Sequence, residues 1–326
     1  MELVDPHGRK ISYLRLSVTD RCNLRCSYCM PAAGVPKLDH RDILSYEELL
    51  RVARAALTLG VEKIRITGGE PLIRPGLTGF LAQLARLEGL RKLVLTTNGI
   101  LLPEMAVELR EAGVESLNIS LDSLSAETFS RITRGGVLAR ALEGIAAAEA
   151  AGFPFVKLNV VVMRGINDGE VGDFATLTLD KPCRVRFIEY MPTQADPDWC
   201  ERSVTGDEIL ARLGSRYRLE PVERESMAGP ARYYRIAGAA GMIGIITPVS
   251  CHFCNDCNRI RVTSTGFAKS CLLAGTGLDL KPLLRDGNDD AIAGALRQVV
   301  AIKPDSHSLG RSEERAEPFA MSRIGG

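Results

Sequence analysis

The stretch Ser45-Tyr-Glu-Glu-Leu-Leu-Arg-Val-Ala-Arg-Ala-Ala-Leu-Thr-Leu-Gly60-Val-Glu-Lys-Ile-Arg-Ile-Thr67-Gly-Gly-Glu-Pro71 holds one complete repeat of the architecture. Ser45 and Glu48 make the S-x-x-E box that starts a helix, and Gly60 is its stop signal. A strand at 62–67 follows and ends on two glycines. The same alternation runs from residue 11 to about 190. Strands are predicted at 11–17, 62–67, 91–96, 115–121, 155–162 and 184–190. Helices are predicted at 45–59, 76–88, 103–112, 125–150 (two helices) and 168–179. This spacing predicts a parallel sheet with helices outside. Six units fall short of the eight that close a full barrel. The expected class is therefore α/β, an incomplete (β/α)6 TIM-like barrel with an open lateral cleft.

After about residue 195 the texture changes. A short helix at 205–213, strands near 216–222, 232–236 and 242–247, and helices near 277–285 and 289–302 read as an α+β extension. The boundary is placed near 200, giving regions 1–200 and 201–326. Hydrophobic residues make up 45% and charged residues 25%, which is ordinary for a globular chain. A net charge of +1 supplies no overall field toward nucleic acid or a membrane. No stretch has the length of a signal core or a spanning helix, so a cytoplasmic protein is expected.

The strands carry more polar residues than a doubly covered parallel sheet requires. The period of two puts Lys63, Arg65 and Thr67 on one face, and Asn118, Ser120 and Asp122 on another. Lys157 and Asn159 share a face, as do Arg184 and Arg186, and Arg15 lies mid-strand. One strand cation is ordinarily an edge residue. Cations in four of six strands predict a polyanionic ligand inside, bound by charge-assisted hydrogen bonds. No G-x4-G-K-[ST] loop occurs, so phosphate binding of the P-loop type is excluded.

Nine cysteines fall mostly into two clusters, which in a chain of this kind reads as metal chemistry rather than disulfides. The first is Cys22-Asn-Leu-Arg-Cys26-Ser-Tyr-Cys29. Three thiolates on one loop can hold three irons of a cubane and leave the fourth open. The second is Cys251-His-Phe-Cys254-Asn-Asp-Cys257-Asn-Arg259-Ile-Arg261, followed by Cys271. Cys183 and Cys200 stand apart and read as small buried residues. Asp122 and Glu189 read as salt-bridge partners of the strand cations.

The C-x3-C-x2-C loop with its internal aromatic, together with Thr67-Gly-Gly-Glu-Pro71, resembles the signature of radical S-adenosylmethionine enzymes. Cys254, Cys257 and Cys271 in C-x2-C-x13-C spacing, with the N-R-x-R that follows, resemble one family within them. These are the GTP 3′,8-cyclases of molybdenum cofactor biosynthesis, the MoaA family. The resemblance runs from Leu14-Arg-Leu-Ser-Val-Thr-Asp-Arg-Cys22 to the terminal Gly325-Gly326, and Cys251 departs from it as an extra thiol.

That resemblance implies two [4Fe-4S] clusters, on Cys22, Cys26 and Cys29 and on Cys254, Cys257 and Cys271. It implies S-adenosyl-L-methionine beside Tyr28, Gly69, Ser120 and Met191. It implies GTP on Arg15, Arg65, Thr96, Lys157, Arg186, Arg259 and Arg261, with Gly325 and Gly326 reaching into the site. The implied reaction takes hydrogen from C3′ of GTP with a 5′-deoxyadenosyl radical and joins C3′ to C8. The implied partners are a reductant and, downstream, cyclic pyranopterin monophosphate synthase, with the enzyme a monomer or homodimer. Three alternatives stay open: a zinc loop, a peptide-modifying radical enzyme with an auxiliary cluster, and a non-enzymatic iron–sulfur electron carrier.

Overall fold

The computed structural model describes every residue except 1, 37, 155, 192–195, 197, 224–226, 228, 308–320, 325 and 326. Six strands follow one another in parallel, as the sequence predicts. They are β1 (Tyr13–Ser17), β2 (Lys63–Thr67), β3 (Lys92–Thr97), β4 (Ser116–Ser120), β5 (Val156–Val162) and β6 (Arg184–Glu189). The intervening helices are α1 (Tyr46–Thr58), α2 (Leu77–Ala85), α3 (Leu102–Glu111), α4 (Ala126–Thr133), α5 (Leu138–Ala150) and α6 (Val171–Asp180).

The capping box of α1 is formed in both directions: the Glu48 N–H donates to Ser45 Oγ at 3.2 Å, and the Ser45 N–H to Glu48 Oε2 at 2.7 Å. Gly60 ends the helix at φ +91°. Such caps contribute about 1 kcal/mol. The larger contribution comes from Leu49, Leu50, Val52 and their neighbours, buried against the sheet at about 1.5–3 kcal/mol for each large apolar side chain.

The remaining chain adds α7 (Trp199–Arg202), α8 (Gly206–Gly214), β7 (Leu219–Val222), β8 (Arg232–Ile236) and β9 (Met242–Ile246). Then come β10 (Arg259–Val262), β11 (Phe267–Lys269), β12 (Gly277–Asp279), α9 (Lys281–Arg285), α10 (Asp289–Ala301) and α11 (Met321–Ile324). β9 pairs parallel with β6, and β10 parallel with β1. The parallel sheet therefore runs β10-β1-β2-β3-β4-β5-β6-β9, with antiparallel β11-β12 beyond one edge and β8-β7 beyond the other. The twelve-stranded order is open, ending on β12 and β7.

Two sequence expectations change here. Arg259–Val262 reads as part of a ligand motif, yet it is a buried strand that extends the sheet beyond β1. The helix expected at 277–285 divides into β12 and the shorter α9. Asp279 Oδ1 accepts the Lys281 N–H at 3.0 Å across the turn between them. Among the described residues, no helix is long and apolar enough to cross a membrane.

The strands sort their residues by face. In β5, Val156, Leu158, Val160 and Val162 are buried under helices, while Lys157, Asn159 and Val161 face the interior space and stay half-exposed.

Candidate active site

A cavity of about 280 Å³ opens inside the curved sheet. Cys22, Cys26 and Cys29 line it, as do Cys254, Cys257 and Cys271. The first three follow the C-terminal end of β1; Cys254 and Cys257 precede the N-terminal end of β10. Because β1 and β10 are parallel neighbours, the two thiol groups stand toward opposite ends of one strand pair. Between them lie the inward residues of that pair and of β2. Arg15 is in register with both Arg261 and Arg65.

The first thiol loop is held by backbone. The Cys29 and Met30 N–H groups both donate to the Cys26 carbonyl, at 2.9 and 3.2 Å. Its approach is fixed by the glycines after β2: the Gly69 N–H donates to Thr19 O and the Glu70 N–H to Arg21 O, each at 2.8 Å. A Cβ on Gly69 would lie 2.2 Å from Arg21 O, and one on Gly68 2.7 Å from Thr19 O. Only glycine permits this approach.

The Glu70 carboxylate turns inward and accepts Leu72 N–H, Thr97 Oγ–H and Asn98 N–H at 3.1, 2.8 and 2.7 Å. Burial pushes it up to about 7, against those hydrogen bonds. Burial raises the Cys22 thiol to about 11 and raises Cys26 as well, where Asp122 and the neighbouring thiols add to it. Such thiols stay neutral until a cation displaces the proton.

The second group is more electropositive. Burial opposes ionisation of Cys257, but Arg259 and Lys303 outweigh it and hold the thiol down at about 6. Cys251 is exposed and does not line the cavity, whereas Cys254, Cys257 and Cys271 do. Three thiols of this group therefore face the cavity, and Cys251 does not. Among the described residues, no three His, Cys, Asp or Glu side chains could share one metal ion. Zinc draws its thiolates onto a single centre at about 2.3 Å. A cubane spreads them over separate irons. Three thiols facing one cavity at each group are the kind of donor set a cubane takes.

Arg15 Nε, Arg65 Nε, Arg186 Nε, Thr96 Oγ1 and Asn159 Oδ1 are buried without a hydrogen-bond partner, and all five residues line the cavity. Burial and then Arg65 push Arg15 down to about 9, and burial and then Arg186, Arg259 and Arg261 push Arg65 down to about 10; guanidinium groups remain charged there at neutral pH. The field is strong enough to act on Tyr13. Burial would hold that phenol neutral, yet Arg65, Arg15, Lys63 and Arg259 draw it to about 7. The unpaired guanidinium donors of Arg15, Arg65 and Arg186 call for an anionic ligand.

Every described site residue predicted from the sequence, except Lys157, lines this one cavity. Lys157 lies one layer toward the strand N-termini, in register with Asn118 and Arg184, and donates to Ser116 Oγ at 2.8 Å. Burial and then Arg186, Lys92 and Arg184 depress it to about 6. Gly325 and Gly326 lie outside the described residues. α11, just before them, reaches the cavity: Met321 lines it, and its N–H donates to Cys29 O at 3.2 Å.

Asp122 and Glu189 differ from expectation. Asp122 accepts Tyr28 Oη–H at 2.8 Å and Val161 N–H at 2.9 Å, so it orients an aromatic rather than a cation. Glu189 accepts the N–H groups of Gly206, Val249 and Ser250 at 2.7–3.0 Å, which fixes the loop after β9. Cys183 is buried, but Cys200 is exposed. Sequence reasoning missed Asn98, which donates to Asn23 Oδ1 at 2.7 Å beside Cys22, and Asn159; the alternation of β5 did place Asn159 inward.

A model of the Radical SAM superfamily matches residues 16–178, and one described as Molybdenum Cofactor Synthesis C matches residues 183–309. The structure of Streptococcus suis SuiB bound to S-adenosylmethionine is similar with a TM-score of 0.58 at 17% identity. That likeness covers 89% of this chain and 67% of that one, and it supports the fold alone. Fold and site thus define the class, a radical S-adenosylmethionine enzyme.

The GTP 3′,8-cyclase of Geobacter sulfurreducens is 62% identical over all of both chains. That of Peptoclostridium acidaminophilum is 48% identical over 99% of this chain and 98% of its own. The chain belongs to the GTP 3′,8-cyclase family.

Proposed function

We propose that this enzyme converts GTP to (8S)-3′,8-cyclo-7,8-dihydroguanosine 5′-triphosphate, the first step of molybdenum cofactor biosynthesis. The observation that carries the reading is a single cavity with three thiols toward each end, faced by the unpartnered Nε donors of Arg15, Arg65 and Arg186. Cys22, Cys26 and Cys29 would hold one [4Fe-4S] cluster, and Cys254, Cys257 and Cys271 a second. With S-adenosylmethionine bound, the first cluster supplies one-electron cleavage of the sulfonium and so a 5′-deoxyadenosyl radical.

The chain's own residues position and enclose. Gly69, Ser120 and Met191, which line the cavity, would contact S-adenosylmethionine, and Asp122 holds by its hydroxyl the Tyr28 that would lie near the adenine. Arg15, Arg65, Thr96, Lys157, Arg186, Arg259 and Arg261 bind GTP. They take its phosphate and polar groups by charge-assisted hydrogen bonds; the Nε donors of Arg15, Arg65 and Arg186 otherwise lack acceptors, and burial disfavours the charge on Arg65 and Arg261. Gly244 makes room for Arg186, since a Cβ there would meet Arg186 Cγ at 2.9 Å. Holding one C–H bond at a fixed place accounts for most of what a protein adds to such chemistry, and a closed cavity excludes water and bystander C–H bonds. A separate reductant supplies electrons, and cyclic pyranopterin monophosphate synthase takes the product.

The test is anaerobic turnover of iron-loaded protein with S-adenosylmethionine, dithionite and GTP. Equal amounts of 5′-deoxyadenosine and cyclised nucleotide are expected, and serine at Cys22, Cys26 or Cys29 abolishes both. Cleavage without any cyclised nucleotide would refute the reading.

A further inference from the structure

Lys303 follows α10 and is 4% exposed. Its ammonium donates to the carbonyl of Arg259 at 2.9 Å and to that of Ser270 at 2.5 Å, so it ties β10 to the residue before Cys271. These two carbonyls place its charge near Cys257 and Cys271, whose thiols act on it. Among the described residues, no carboxylate pairs with it. Its backbone is pinned from behind: Lys303 O contacts His7 Nε2 at 3.2 Å. Arg9 donates to Pro304 O and Asp305 O at 2.6 and 2.7 Å, and to Cys254 O at 2.8 Å. Arg9 has its own partner in Asp5, at 2.5 Å; Lys303 does not.

A buried ammonium without a carboxylate is costly unless another anion balances it. The available anions are the thiolates of the second nest. We infer that Lys303 is a positioning residue of the second cluster: its fixed positive charge balances the Cys257 and Cys271 thiolates, tunes that cluster's reduction potential and holds its two ligand strands together. The inference rests on the proposed second cluster. Hydrogen bonds and charges beside the sulfurs are the protein's means of setting such a potential. A cation stabilises the reduced, more negative form, so removing it makes reduction harder.

The experiment is an anaerobic redox titration followed by electron paramagnetic resonance, on iron-loaded protein made inactive at the first nest by C22S, C26S and C29S, so that only the second cluster is seen. In that background K303M and K303Q should shift the reduction equilibrium at least tenfold, 59 mV lower for one electron. Both should also lose iron to a chelator faster, and K303R should restore both properties. K303Q keeps a hydrogen-bonding group, so it carries the test if K303M loses its cluster during purification. A wild-type potential in K303Q or K303M, or a shifted one in K303R, overturns the role of the charge. Failure of the underlying reading looks different: the triple variant with Lys303 intact then holds no cluster at all.

Discussion

Alanine at Gly69 should uncouple the two loops that build the first thiol nest. Its Cβ would lie 2.2 Å from Arg21 O and 2.6 Å from Arg21 C, where real Cβ atoms come no nearer than 3.0 Å. The backbones must separate by about 0.8 Å. The same Arg21 carbonyl accepts the Glu70 N–H at 2.8 Å, so that bond would stretch beyond hydrogen-bond range. Overpacking costs roughly 1–3 kcal/mol and the lost bond about 1 kcal/mol, together about 2–4 kcal/mol. The displacement falls on the segment leading to Cys22, and a misplacement near 1 Å costs on the order of 100-fold in rate. Urea unfolding of metal-free protein, followed by circular dichroism, reads the first effect. The 5′-deoxyadenosine yield of iron-loaded protein reads the second. A G69A protein with the wild-type urea midpoint and more than half the wild-type rate would show that the tight approach is not needed.

Further expectations concern charge and ligands. R65M removes a cation that burial and its neighbours disfavour. Metal-free R65M should unfold at the same urea concentration or higher, while GTP affinity by calorimetry falls roughly 10- to 100-fold, the worth of a charge-assisted hydrogen bond; unchanged affinity would remove Arg65 from the site. Lys157, depressed to about 6, is largely neutral at pH 7.5 without ligand, and a bound polyphosphate raises it. GTP binding at pH 7.5 should therefore take up a proton, seen as a buffer-dependent binding enthalpy that K157M abolishes. The sign for folding agrees: the unfolded lysine binds the proton up to its ordinary value of 10.5, so Lys157 lowers stability increasingly as pH falls from there to about 6, and K157M should flatten that slope. Iron analysis should give about eight irons for wild type and for C251S, and about four for C271S; a loss in C251S would make it a fourth ligand.

Several parts of this protein are set by short-range chemistry and can be read directly from the chain. The capping box at Ser45 and the stop at Gly60 define α1. The period of two in β5 turns Lys157 and Asn159 to one face. The spacing of Cys22, Cys26 and Cys29 is a property of one loop. Other features were not legible, because they depend on pairing between distant segments. Arg259–Val262 is too short to announce itself as a strand, and only its parallel pairing with β1 brings Arg261 beside Arg15. That pairing also decides that the two thiol nests stand toward opposite ends of the same strands, since a parallel neighbour reached from its N-terminus must begin where β1 begins. The free donors of Arg15, Arg65 and Arg186 could be counted in the sequence, but whether carboxylates answered them could not. Asp122 and Glu189 were available, and tertiary packing gave them to Tyr28 and to backbone N–H groups instead, leaving the cations for a ligand. Local spacing fixed which residues carry the chemistry. Long-range pairing, where a one-residue slip in register turns every side chain to the other face, decided what they surround.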